Sequence, residues 1–375
     1  MISERAKNLD PYVPGEQPKD RVYIKLNANE NPYAPSPKVI SSLSHLITDK
    51  SISLALYPDP DSTALRSSIA LSLNESQGVL STMGTQKTTQ RLSITSDMIF
   101  CGNGSDEVLS VLFYSFFNSD KPLIAPEHSY SFYPVYCGYY GIPLKKIPLN
   151  DDFSLNADAM LKTAKESCSG LIFANPNAPT SLALPVGAIR TMLRSFPEDK
   201  VFVVDEAYVD FSDESALNLL NEFKNLVIVR TFSKSFSFAG MRLGYAVAHP
   251  ELIEIMTRVK NSFNHFPVDI AAQTAGIAAC EDTIYYADNV KKIVAARSSF
   301  IQFLRSRNWK CYDSKTNFVL ARLEGFTGKE IYEKIKKEGI LVRHFNTPVI
   351  TDYVRITIGT DDQMKTLMRC IETIA

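Results

Sequence analysis

Before Glu251, short and wholly apolar runs recur along the chain, each giving way to a polar turn and then to helical spacing. Met98-Ile-Phe-Cys101, Leu123-Ile-Ala125, Gly170-Leu-Ile-Phe-Ala174 and Val201-Phe-Val-Val204 show no polar alternation. A strand with one wet face alternates, so runs that are apolar on both sides predict strands covered on both faces. Val227-Ile-Val229 and the run ending at Ala248 read the same way, and Ile142 to Leu149 predicts one more strand. Helices are predicted over 39–47, from an Asp61 or Ser62 cap to about Leu73, and from the Gly102-Asn-Gly104 turn to about Asn118. Two more are expected, one beginning at Tyr130 and one running from Pro185 to about Phe196. Apolar strands alternating with helices specify an α/β fold, a mostly parallel sheet between helical layers.

From Glu251 the pattern turns helical and ends in a long helix from about Thr283 to Arg307. Beyond it, Asn317 to Arg322 and Tyr353 to Ile358 read as strands, and 329–338 and the segment from Asp361 as helices, a smaller α+β domain. Prolines interrupt residues 1–35, including Asn8-Leu-Asp-Pro-Tyr12 and Leu26-Asn-Ala-Asn-Glu-Asn-Pro32, and so predict an extended arm. Residues 75–95 are rich in Ser, Thr and Gln and read as a solvated loop. The expected division is 1–50 as arm and part of the small domain, 51–280 as the large domain and 281–375 as the small one.

Composition narrows the partners. The chain has 375 residues, and its 45% hydrophobic fraction supports a sizeable core. Forty basic against forty-one acidic residues leave a net charge of -1, which argues against nucleic acid. Six cysteines lie far apart with no CxxC spacing, so reduced structural thiols are expected and no metal site. Met1-Ile-Ser-Glu-Arg-Ala-Lys7 lacks the apolar core of a signal peptide, and no run reaches membrane length. A soluble cytoplasmic protein without a membrane partner is expected.

The chemistry concentrates between the last two apolar runs. Thr231 and Ser233 precede a single amine, Lys234, and Arg242 follows Gly240. A lysine held near buried structure is driven toward its neutral, nucleophilic form. Thr231, Ser233 and Arg242 are donors of the type that grip phosphate. A lysine beside a phosphate cradle suggests pyridoxal phosphate, a carbonyl with a phosphate handle. The Gly102–Ser105 turn opens a helix, where free amides favour an anion. Asn177 and Asp205 follow two other apolar runs, and ligands of parallel sheets sit at the carboxyl ends of their strands. Arg343 and Arg355 fall on or beside strands of the small domain, where an arginine is ordinarily an ion-paired edge residue.

Taken in order, these residues resemble the fold-type I pyridoxal-phosphate aminotransferases, and within them the histidinol-phosphate branch. The resemblance rests on Asn8–Tyr12, Leu26–Pro32, Tyr57-Pro-Asp59, Gly104-Ser-Asp-Glu107, Asp205-Glu-Ala-Tyr208, the Thr231–Arg242 loop and Val354–Gly359, and covers nearly the whole chain. It implies that Lys234 forms the Schiff base and shuttles a proton, that Asp205 pairs with the ring nitrogen and that Tyr208 donates to the ring O3′. It implies that Tyr130 stacks on the ring, and that Gly104, Ser105, Asp106, Thr231, Ser233 and Arg242 surround the cofactor and its phosphate. Tyr57 is expected in the partner's site of a homodimer. Tyr12, Asn29, Arg343 and Arg355 are implied for the substrates, histidinol phosphate or imidazole acetol phosphate and glutamate or 2-oxoglutarate. One departure stands out: the family turn Asn-Pro-x-Asn-Pro-Thr-Gly has Ala178 and Ser181 at its second Asn and its Gly. Either Asn177 takes over the contact to O3′ or Tyr208 makes it alone. Threonine-phosphate decarboxylases look similar in most of these motifs and also bind a phosphorylated substrate, and an aromatic-amino-acid aminotransferase is a third candidate. An aminotransferase-like regulatory domain is the non-enzymatic alternative, and the presence of Lys234 counts against it.

Overall fold

A computed structural model describes residues 1–12, 15–48, 54–76, 93–117 and 120–374. After a one-turn helix α1 (Glu4–Lys7) and a short strand β1 (Ile24–Lys25), helices α2 (Pro37–Thr48) and α3 (Thr63–Ser76) lead into β2 (Ile99–Asn103). Alternation follows through α4 (Gly104–Phe116), β3 (Leu123–Pro126), α5 (Phe132–Tyr140), β4 (Leu144–Ile147), α6 (Ala157–Glu166) and β5 (Gly170–Ala174). It continues through α7 (Val186–Ser195), β6 (Val201–Asp205), β7 (Leu226–Thr231) and β8 (Leu243–Ala248). The eight strands up to this point, less β1, form one sheet in the order β2-β8-β7-β6-β5-β3-β4.

Every residue of β5, β6, β7 and β8 is buried, because helices cover both faces. All neighbours in this sheet pair in parallel except β8, which is antiparallel to both β7 and β2. The short 232–242 connection explains the exception: parallel pairing needs a crossover of a dozen or more residues, usually a helix. At the sheet's edge β4 carries exposed Lys145 and Lys146, which discourage pairing with another chain.

Several local expectations shift. Helix α3 starts at Thr63, and its first amide is held by Asp59 Oδ2 at 2.6 Å, not by Asp61 or Ser62. Ser62 instead takes a left-handed φ of 49° in the turn. The helix expected from Tyr130 begins at Phe132, and the strand expected over 142–149 shortens to β4. Helix α6 was not anticipated from the apolar pattern. Its signals are an Asn156 side chain that caps Ala159 and a buried Met160–Ala164 pair one turn apart. Of the expected solvated loop, residues 77–92 lie outside the described residues.

Helices α8 (Pro250–Phe263), α9 (Ile270–Cys280) and the long α10 (Thr283–Arg305) come next. They precede β9 (Trp309–Cys311), β10 (Phe318–Leu323), α11 (Gly328–Lys337), β11 (Ile340–Leu341), β12 (Arg343–His344), β13 (Val354–Thr357) and α12 (Asp361–Glu372). Four of these strands form a second, antiparallel sheet in the order β12-β13-β10-β9. The amino-terminal segment is not wholly a free arm, since β1 pairs in parallel with β11. Arg297 of α10 joins the parts of the chain, donating from Nη1 to Phe211 O at 2.9 Å and Thr316 O at 2.7 Å. Among the described residues no helix is long and apolar enough to cross a membrane.

Candidate active site

Three strands of the large sheet and the first turn of α4 bring the predicted residues to one end. Asp205 closes β6, only 3% exposed, and its carboxylate accepts from the Tyr133 hydroxyl at 2.8 Å and from Ala207 N at 3.1 Å. Burial pushes this carboxyl up to about 6, against the pull of those two hydrogen bonds. Among the described residues no cation pairs with it. Tyr133 was not singled out from sequence, because one tyrosine among many carries no positional signal.

Lys234 stands just beyond β7, half-buried, with its ammonium 5.6 Å from the centre of the Tyr208 ring. The amide of Asn31 donates to the carbonyls of Lys234 at 2.9 Å and Ser235 at 3.1 Å, holding the loop. The Ser235 hydroxyl bonds Asp210 on the other side. Tyr208 is buried, its ring edge-on to Phe318 and its hydroxyl 2.9 Å from Asn29 Nδ2.

Beside this lies a cradle built from close backbone approach. Gly104 opens α4 at φ 76°, and a Cβ there would sit 2.4 Å from Arg242 Nη2. A Cβ on Gly244 would meet Ser105 N at 2.3 Å, so β8 presses directly on the start of the helix. First-turn amides of a helix have no intrahelical partner and carry the positive end of its dipole. Arg242, itself at φ 53°, reaches Asp106 Oδ2 at 3.0 Å and Ala239 O at 3.3 Å. The Asp106 carboxylate also accepts from Tyr130 at 2.6 Å, so it orients both the guanidinium and that ring. Thr231 Oγ1 accepts from Ser233 N at 3.1 Å, ordering the turn before the lysine. A buried lone carboxylate, a lysine and an amide-lined cradle fit the ring nitrogen, carbonyl and phosphate of pyridoxal phosphate.

Asn177 is buried in the same region, but both hydrogens of its amide are occupied, by His128 O at 2.9 Å and Thr180 Oγ1 at 3.0 Å. Its Oδ1 accepts from Ser129 at 2.8 Å, while Ala178 packs into the core. Asn177 therefore has no amide hydrogen left to offer a ligand.

The second group gathers on the small sheet. Arg343 and Arg355 are directly opposite each other on β12 and β13. Like charges so placed repel unless an anion lies between them. Arg355 donates to Asn27 O at 3.1 Å and packs over Phe318 and Phe345, but its enclosed Nε has no hydrogen-bond partner among the described residues. Burial and the neighbouring Arg343 both draw its pKa down, while Tyr208 and Tyr12 lie near enough to oppose this. Tyr12 is partly exposed and packs on Phe132 with ring centres 4.9 Å apart. Asn29 is buried and bonded inside the fold. Tyr57 stands apart from the cluster, 81% exposed and stacked on Phe266 at 4.5 Å. Among the described residues no group of side chains could hold a metal ion.

The family model for aminotransferase class I and II matches residues 21–371. A histidinol-phosphate aminotransferase of Syntrophus aciditrophicus is 46% identical over 369 residues, covering 98% of this chain and 96% of that protein. One from Acinetobacter baylyi is 42% identical, covering 99% and 96%. Among solved structures, histidinol-phosphate aminotransferase of Sinorhizobium meliloti in complex with pyridoxal-5'-phosphate superposes with a TM-score of 0.85 at 22% identity, over 100% of this chain and 98% of that one. Aspartate aminotransferase of Thermus thermophilus reaches 0.81 at 16% identity over the whole of both chains. The fold is therefore that of the fold-type I enzymes, and with a family match spanning almost its entire length the chain belongs to the aminotransferases of class I and II.

Proposed function

We propose that this enzyme transfers an amino group between histidinol phosphate and 2-oxoglutarate, using pyridoxal 5'-phosphate, as a cytoplasmic homodimer in histidine biosynthesis. The observation that carries the substrate reading is the Arg343–Arg355 pair, opposite each other on neighbouring strands with both guanidinium groups near the Phe345 ring, and the enclosed Arg355 Nε without a hydrogen-bond partner among the described residues. A planar fork meets phosphate or carboxylate with two bonds, so one pair serves the phosphate of one substrate and a carboxylate of the other. The likeness to histidinol-phosphate aminotransferases at 46% and 42% identity supports the same substrate.

When bound, pyridoxal 5'-phosphate supplies a carbonyl for the amino group and a ring that takes up carbanion charge. Asp205 offers its buried charge to a ring nitrogen and so favours the protonated form. Arg242 and the first amides of α4 hold the phosphate end. Lys234 Nζ is the amine that would hold the carbonyl end of the cofactor and, once released by the incoming substrate amine, the base that would carry a proton from and to the substrate carbon. The test is the half-reaction: histidinol phosphate and glutamate should each bleach the visible band of the loaded enzyme, with no carbon dioxide released. Carbon dioxide from a phosphorylated amino acid would instead make it a decarboxylase.

Two expected results follow from the anion pair and from Tyr57. Arg355→Lys should raise the KM for histidinol phosphate by roughly ten- to a hundredfold, the worth of about 1.5–3 kcal/mol for a charged hydrogen bond. Unphosphorylated histidinol should be little affected; equal loss on both amines would remove Arg355 from the phosphate site. Tyr57 lies in a loop with exposed Leu54 and Leu56, and Phe263 at the end of α8 is 89% exposed, a set of apolar side chains suited to a partner subunit. Mixing inactive Lys234→Ala with inactive Tyr57→Ala chains should restore activity, because one site per mixed dimer keeps both native residues. Mixtures as inactive as their parents would mean that Tyr57 does not serve the neighbouring site.

A further inference from the structure

Asn29 sits between the two halves of the site and is bonded on every side. It is 1% exposed and holds a left-handed φ of 56°, a conformation that Asn tolerates better than most residues. Its carbonyl accepts from Asn317 Nδ2 at 3.0 Å. Its backbone N–H donates to Thr357 Oγ1 at 3.0 Å, and its Oδ1 lies 3.1 Å from the same hydroxyl. The Thr357 hydroxyl thus accepts the backbone hydrogen and donates its own to Asn29 Oδ1. That fixes the amide's orientation, since the reverse would leave the threonine hydrogen without its acceptor. The nitrogen Nδ2 therefore faces Tyr208, and an amide nitrogen can only donate. The Tyr208 oxygen must accept at 2.9 Å, and its single hydrogen is directed away from Asn29.

We infer that Asn29 is a positioning residue: by occupying the acceptor side of the Tyr208 hydroxyl, it turns that group into a fixed donor toward the cofactor's ring oxygen. This rests on the functional reading above. The orientation matters more here than in a site with two donors, because Asn177 has both amide hydrogens occupied and position 178 is alanine. Thr357 lies two residues beyond Arg355 on β13, so the strand that carries the anion-binding arginine also sets the amide.

The test is a pH titration of the visible band of enzyme loaded with pyridoxal 5'-phosphate, for wild type, Asn29→Gly and Asn29→Asp. Both substitutions tolerate the positive φ, so the backbone is preserved while the donor is lost. In Asn29→Gly the phenol is free to turn, and the pKa of the band should rise by roughly one unit, the scale of one hydrogen bond. In Asn29→Asp the carboxylate takes the phenolic hydrogen for itself, and the rise should be larger. In a Tyr208→Phe background Asn29→Gly should not move the band further, because the amide acts through the hydroxyl. An unmoved pKa in both single variants, or the same Asn29→Gly increment with and without the Tyr208 hydroxyl, overturns the assignment. A wild-type protein that forms no visible band overturns the functional reading and this inference with it.

Discussion

Lys234→Ala is expected to leave a folded protein that binds pyridoxal 5'-phosphate without covalent attachment and is almost inactive. The side chain is half-buried, and the loop is held by groups other than its ammonium: Asn31 bonds its carbonyl, and the neighbouring Ser235 bonds Asp210. Those anchors survive the substitution, so the fold should too. Nucleophile and proton carrier disappear together. Acid–base catalysis alone supplies ~10²–10⁴-fold, and loss of the covalent step multiplies this. Borohydride should fix the cofactor to wild-type enzyme and not to the variant. Fixation at a different lysine in Lys234→Ala would show that the wrong amine has been assigned.

Asp205→Asn should have opposite effects on turnover and on the stability of the cofactor-free protein. The folded carboxyl titrates at about 6, above the 3.8 of an ordinary aspartate, because burial disfavours its charge. The folded state thus holds its proton more tightly than the unfolded chain does. As pH rises from about 4 to about 6 the unfolded chain ionises first, and the cofactor-free fold loses stability through that window. Above pH 6 the penalty is complete, about 3 kcal/mol at 1.36 kcal/mol per unit. A neutral amide escapes it but accepts only one of the two hydrogen bonds from Tyr133 and Ala207. The variant should therefore be more stable by on the order of 2 kcal/mol at pH 7.5 and no more stable at pH 4, measured by urea unfolding without cofactor. Transamination should nevertheless largely disappear, since an amide offers no negative charge to a protonated ring nitrogen. Near-normal turnover with cofactor bound would end the pyridinium role, and equal stabilities at pH 7.5 would contradict the raised carboxyl.

The sequence alone determined the parts that depend on neighbouring residues. Unbroken apolar runs gave β5 its bounds at Gly170 and Ala174, and covered strands followed because no polar residue interrupts them. Turn chemistry around Gly104, Pro176, Pro179 and Gly240 put the candidate residues at strand ends, and the lysine loop stood out as one amine between two apolar runs. Helix α6 escaped because its apolar stripe is only two buried residues wide. Tertiary structure decided what depends on distant pairing. Nothing local distinguishes β8, antiparallel, from its parallel neighbours, since orientation is set by the route of the connection. Tyr133 could be chosen from its many fellow tyrosines only once α5 had packed against β6. The facing of Arg343 and Arg355 depends on the register of two strands in the folded sheet. The contact of Asn29 with Tyr208 joins positions 179 residues apart. Periodicity and turn propensity act over a few residues, whereas such contacts form only when the whole chain has closed around them.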